Sequence, residues 1–176
     1  MNAINHKRRA VLLTAVMLGI LQGCGEKKIE QSVTPLEIDP RTTCDLDGML
    51  LSDFPGPKAQ VFYAGQNNPV FFCDTVELFH TLLAPEQVRK VQAVYVQDMG
   101  KADWEQPQGN WIDANAAYYV FGSRRRGSMG TTIASFSQES AASQFATQWG
   151  GRLLRYADIR AEMVDLSGGA LHDSKM

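Results

Sequence analysis

Cys44 and Met49 place a thiol and a thioether five positions apart in the polar stretch Cys44-Asp45-Leu46-Asp47-Gly48-Met49. Soft sulfur donors select Cu(I) over the hard ions that carboxylates prefer, because a polarisable ligand matches a polarisable cation. Gly48 lets the backbone bend beside the methionine. The Pro55-Gly56-Pro57 turn that follows is rigid enough to hold such a loop against a strand beginning near Ala59. A second methionine next to glycine, Met129 in Ser128-Met129-Gly130, also stands in a polar segment where packing gives little reason for a thioether. Most methionines are core fillers, as Met163 is expected to be. Cys44, Met49 and Met129 therefore form a candidate three-coordinate soft-metal set, with the last ligand supplied from the far half of the chain.

Other donors compete for the third position. Imidazole suits copper, and His80 on a helix and His172 near the C-terminus are alternatives to Met129. Asp45 and Asp47 flank the thiol and can cap loop N–H groups, but their carboxylates could hold a second, harder ion such as Zn(II). Cys73 ends the apolar run Phe71-Phe72-Cys73, where a cysteine behaves as a small buried hydrophobe, so its loss is expected to affect mainly stability. The rival reading is a Cys44–Cys73 disulfide in a structural or scaffolding protein without metal. Such a bridge would close a loop of about thirty residues and contribute roughly 3 to 4 kcal/mol on the chain-entropy model.

The elements that must position these groups are read from the pattern around them. Lys7, Arg8 and Arg9 precede an apolar run ending in Leu21-Gln22-Gly23-Cys24, the layout of a secretory signal with a lipidation box. Residues 1–23 are the signal, Cys24 the lipidated terminus, and 24–41 a flexible tether. Without its signal the chain goes from a net charge of −2 to −5, and the one basic cluster, Arg124-Arg125-Arg126, reads as a solvated hairpin tip beside Gly127. That excludes a nucleic-acid footprint. The remaining chain reads as α+β. A first unit over residues 42–98 carries the metal loop, strands at 60–64 and 69–73, a helix at 75–83 and a strand at 91–97. Asp74 is its N-cap, with Glu77 completing a capping-box pattern, and Val76, Phe79 and Leu83 share one face. After a linker at 99–114, a second unit over 115–161 repeats the order, with strands at 116–121 and 131–136, a helix at 138–149 capped by Ser137 or Ser140, and a strand at 152–156. Two packed ββαβ units follow as an internal duplication, each too small to hold a core alone. Residues 162–176 read as a flexible tail.

The order Cys-x-x-x-Gly-Met at Cys44, then Pro55-Gly56-Pro57-Lys58-Ala59-Gln60, Phe71-Phe72-Cys73, Tyr119-Val120-Phe121-Gly122-Ser123 and Ser128-Met129-Gly130 resembles the NosL family. These are copper-binding lipoproteins that accompany nitrous oxide reductase. The resemblance runs from Cys24 to about Ile159, and both Met49 and Met129 match motif positions. Where many members have a second Cys in the loop, this chain has Asp47, which leaves a single-thiol loop. The resemblance implies an anchored protein of the bacterial periplasm that binds one Cu(I). It further implies delivery to apo nitrous oxide reductase in concert with an ABC-type membrane complex. Gly25 after the lipidated cysteine favours the outer membrane. An enzyme is not expected, since the chain holds no nucleophile–His–acid set at motif spacing, no phosphate-binding glycine loop and no Cys-x-x-Cys pair.

Overall fold

The computed structural model describes residues 33–166. The expected signal, the expected lipidation site Cys24, the start of the expected tether and His172 lie outside that range.

Four antiparallel strands form the first sheet, β1 (Ala59–Tyr63), β2 (Val70–Phe72), β3 (Val91–Gln97) and β4 (Trp111–Asp113), in the order β2-β1-β3-β4. Helix α1 (Thr75–Leu83) joins β2 to β3. The second sheet contains β5 (Tyr118–Gly127), β6 (Gly130–Phe136) and β7 (Arg152–Arg155) in the order β6-β5-β7, with α2 (Glu139–Trp149) between β6 and β7. The strand-strand-helix-strand order thus occurs twice in an α+β fold. The expected linker is more than a connection, since its β4 hydrogen-bonds to β3 with Val96 opposite Ile112.

Why β1 can occupy the interior follows from its sequence. All five of its residues are buried, and the one polar side chain, Gln60, is satisfied by the backbone N–H (2.9 Å) and carbonyl (3.0 Å) of Leu36. That pair of bonds also shortens the expected tether. From Val33 the chain runs along the first sheet, with the Tyr95 hydroxyl donating to the Val33 carbonyl.

The two halves share one core. Leu51, Val61, Phe72 and Phe79 from the first half pack with Tyr119, Ile133 and Leu154 from the second. Alternation along β5 then aims Val120 the other way, into a smaller core of Trp104, Ala134, Phe136 and Ala142 beneath α2. Between the halves runs a seam of buried hydrogen bonds. Thr75 Oγ1 donates to the Ile133 carbonyl (2.6 Å), Thr132 Oγ1 to Asp74 Oδ1 (2.7 Å) and Ser135 Oγ to the Gln97 carbonyl (2.6 Å).

Asp74 caps α1 as the pattern requires, its Oδ1 accepting from Val76 N–H at 2.8 Å. Val76 and Phe79 are buried, whereas Leu83 at the helix end is partly exposed. At α2 the expected serine caps fail. Gln138 is the N-cap and makes no side-chain capping bond, and Ser137 before it donates its Oγ–H to Asp98 Oδ2 (2.5 Å) instead of capping the helix. The arginine cluster is also placed differently from its sequence reading. Arg124, Arg125 and Arg126 belong to β5, and the reversal falls at Ser128 and Met129. Arg125 is wedged between the Trp104 and Trp149 rings, 4.6 and 4.8 Å from their centroids, and is paired with Glu105 at 3.2 Å. A guanidinium that covers two indoles reads as polar in a sequence and as packing in the fold. The C-terminal tail also starts later than expected, since Val164 is buried and Leu166 packs against the shared core.

Candidate metal centre

The Cys44 loop is a short closed turn. Cys44 N–H donates to the Met49 carbonyl (2.8 Å), Gly48 N–H to the Cys44 carbonyl (2.9 Å) and Met49 N–H to Asp47 Oδ1 (3.0 Å). Gly48 has a φ of 77°, a conformation that a side chain would strain. The loop is docked on β2 by Asp45 N–H, which donates to the Phe71 carbonyl at 2.8 Å. Docking turns Cys44 inward, so it is buried and not on the partly exposed loop surface that the sequence led us to expect.

What Cys44 meets there is Cys73, one residue past β2, and Glu77 in the first turn of α1. The two sulfurs and a Glu77 oxygen all lie within 4.8 Å of one another, and all three residues are buried. Among the described residues this is the one such group of three donors from His, Cys, Asp or Glu. Glu77 Oε2 accepts from Cys44 Sγ–H (2.9 Å) and from Cys73 N–H (3.1 Å), while Oε1 accepts from Ser128 Oγ–H (2.7 Å). Glu77 therefore does not close a capping box on Asp74 but reaches one residue further back and across to the second half. Both cysteines are free thiols, contrary to the disulfide of the rival reading.

The two candidate methionines belong to segments that touch the centre through their backbone or a neighbouring residue. The Met49 carbonyl is 3.8 Å from Cys73 Sγ, and the residue is 49% exposed. Met129 is 39% exposed at the β5–β6 reversal, next to the serine that bonds Glu77. Beside the loop a cleft of about 500 Å³ opens onto Thr43, Cys44, Asp45, Gly48, Val70 and Phe71. His80 is not drawn to the centre, for its Nδ1 lies 3.0 Å from the Val164 carbonyl. Asp45 and Asp47 join no three-donor group among the described residues. Asp45 pairs with Arg89 at 3.9 Å, and Asp47 is used within the loop.

Sequence reasoning missed Cys73 and Glu77 as donors. The available signal was their i, i+4 spacing across a helix start capped by Asp74, which turns a residue just before the helix and one in its first turn the same way.

Charge is concentrated beneath the thiols. The Lys58 ammonium is buried and donates to the carbonyls of Phe54 (2.7 Å), Pro55 (3.1 Å) and Cys73 (3.0 Å). Burial lowers its pKa, against the opposing pull of Cys73, Asp74, Glu77 and Cys44. The hydrogen bond with Cys44, followed by burial, pushes the Cys73 thiol far up. A metal that takes both sulfurs must therefore displace protons, and its affinity rises with pH.

Asp74 supplies a pH prediction. Burial lifts its carboxyl from 3.8 to about 7, despite bonds from Val76 N–H and Thr132 that favour the charged form. The folded chain then keeps a proton that the unfolded chain has released. This contribution is complete below pH ~4. It is lost as pH rises to about 7, by at most about 4 kcal/mol at roughly 1.4 per unit. Denaturation at pH 5 should show higher stability than at pH 8, and Asp74→Asn should flatten that slope. An unchanged slope in the variant would assign it to another group.

The NosL family profile matches residues 35–164. The copper-binding lipoprotein NosL of Stutzerimonas stutzeri is 39% identical, the match covering 98% of this chain and 93% of the relative. The protein of the same description from Achromobacter cycloclastes is 40% identical, covering 89% and 83%. Among solved structures, the copper chaperone NosL from Shewanella denitrificans superposes with a TM-score of 0.70 at 39% identity, over 73% of this chain and 97% of its own. These names describe binding and carrier proteins and no enzyme, in line with the inventory of residues. With relatives near 40% identity over most of their length and a profile that spans both halves of the fold, the chain belongs to the NosL family.

Proposed function

We propose that this chain is a Cu(I) carrier of the bacterial periplasm, lipidated at Cys24 and held at the outer membrane, that supplies apo nitrous oxide reductase with copper in concert with an ABC-type membrane complex. The observation that carries the copper reading is the buried grouping of the Cys44 and Cys73 thiols with Glu77. Two thiolates suit a soft monovalent ion, and low coordination leaves room for an incoming ligand from an acceptor. Cys44 is the central ligand and Cys73 the second sulfur. Met49 and Met129 close over the ion from opposite sides, and either can yield its place during transfer. Glu77 orients the Cys44 sulfur and offers an oxygen that a harder ion such as Zn(II) would use. The family names support copper as cargo, and the donor set supports its reduced state.

An anaerobic Cu(I) competition titration of the chain lacking residues 1–24 tests this reading, followed by mixing of the loaded protein with apo reductase. One tightly held Cu(I) per chain that moves to the reductase without passing through a competing chelator is the expected result. Transfer that the chelator intercepts in full would remove the carrier role.

A further inference from the structure

Two buried thiols that share a site do not need a metal to react with each other. Cys44 and Cys73 are both free, their sulfurs lie within 4.8 Å, and no other cysteine is present among the described residues. Their surroundings differ. Cys44 lines the cleft of about 500 Å³ and belongs to a short turn held by three local hydrogen bonds and one docking bond to β2. Cys73 is fully buried behind it, anchored by its N–H on Glu77 and its carbonyl on Lys58. The two thiols thus lie side by side, one on a loop that borders the cleft and the other just past the end of β2.

We propose that Cys44 and Cys73 form a thiol–disulfide exchange site whose substrate is an external disulfide and whose product is a reversible Cys44–Cys73 bridge. Cys44 enters first because it, and not Cys73, belongs to a loop bordering the cleft. Its sulfur forms a bond to one sulfur of the incoming disulfide, the S–S bond of that molecule breaks, and the Cys44 proton follows to the departing thiolate. Cys73 then attacks the Cys44 sulfur of the mixed disulfide, and the second external thiol leaves with the Cys73 proton. The two cysteines lose two electrons in total, which reduce one external disulfide to two thiols. An exported protein meets such oxidants in its compartment. The consequence for cargo rests on the copper reading above: the bridged pair offers no thiolate, so oxidation shuts the pocket to Cu(I) and reduction reopens it. The exchange chemistry itself does not depend on that reading.

Intact-mass measurement of the chain lacking residues 1–24 tests the exchange, with oxidised glutathione as the external disulfide; residues 33–166 of this form contain both cores. The parent should lose two hydrogens and retain no adduct. Cys73→Ser should stop at one glutathione per chain, and Cys44→Ser should acquire none. A parent that keeps both thiols while its unfolded control oxidises overturns the proposal, as does an adduct that survives in Cys44→Ser but not in Cys73→Ser. In the second arm, Cu(I) competition is measured before oxidation, after it, and after dithiothreitol. Loss and recovery of binding are expected, and equal affinity in the oxidised form refutes the gating. Failure of even the reduced parent to hold Cu(I) would strike the copper reading and the gating built on it, while the masses would still decide the exchange.

Discussion

Cys44→Ser is expected to abolish Cu(I) binding while leaving the fold in place. The serine hydroxyl can still donate to Glu77 Oε2 where the thiol does so at 2.9 Å, so the loop keeps its inward contact. What disappears is the thiolate, and a hydroxyl oxygen is a poor match for a soft ion. The loss in affinity should exceed the roughly 10–100-fold that removal of an outer-shell partner costs. Met49→Ala and Met129→Ala should each fall within that smaller range, since on the proposed ligand set one thioether can replace the other. Chelator competition gives the affinities, and far-ultraviolet circular dichroism confirms that the variant is folded. High affinity retained in Cys44→Ser would remove the central ligand from the proposal.

Lys58→Ala is expected to cost about 3–5 kcal/mol of folding stability, the range for removing one member of a buried, hydrogen-bonded charged network. The ammonium serves three carbonyls, and among the described residues no other side chain is seen to serve those of Phe54 or Pro55. Its loss would strand acceptors in the turn that leads into β1 and remove a cation from the neighbourhood of Asp74 and Glu77. Lys58→Met separates these effects, because it keeps the apolar stem and deletes only the charge and the donors. Denaturant titration should place Met between the parent and Ala. A loss below about 1 kcal/mol for Ala would mean that water replaces the ammonium without penalty.

Elements with a local chemical cause were legible in the sequence. The bounds of α1 followed from Asp74 as a cap and from the spacing of Val76 and Phe79, and β3 from its apolar run. Elements decided by distant partners were not. β5 continues through three arginines because Trp104 and Trp149 cover the middle one, and nothing within that stretch announces residues 20 or more positions away. Serine at the start of α2 is a good cap by type, but Asp98 had already engaged Ser137. The metal centre divided along the same line. Cys44 and its loop were visible as a local motif, whereas Cys73 looked like a core residue and Glu77 like part of a cap. Both descriptions were fair to the residues. Neither could foresee that docking the loop on β2 would bring the first thiol to the second.

The repeated ββαβ order lets the two units be compared position by position. Aligned on their helix caps, Asp74 and Gln138, the position of Cys73 in the first copy is held by Ser137 in the second, and that of Glu77 by Ala141. At these two positions the second unit carries an oxygen in place of sulfur and a methyl in place of a carboxylate. Its serine was free to bond Asp98, and its hairpin to bond Glu77. One unit thus carries the donors, and the other supplies a hydrogen bond that braces them.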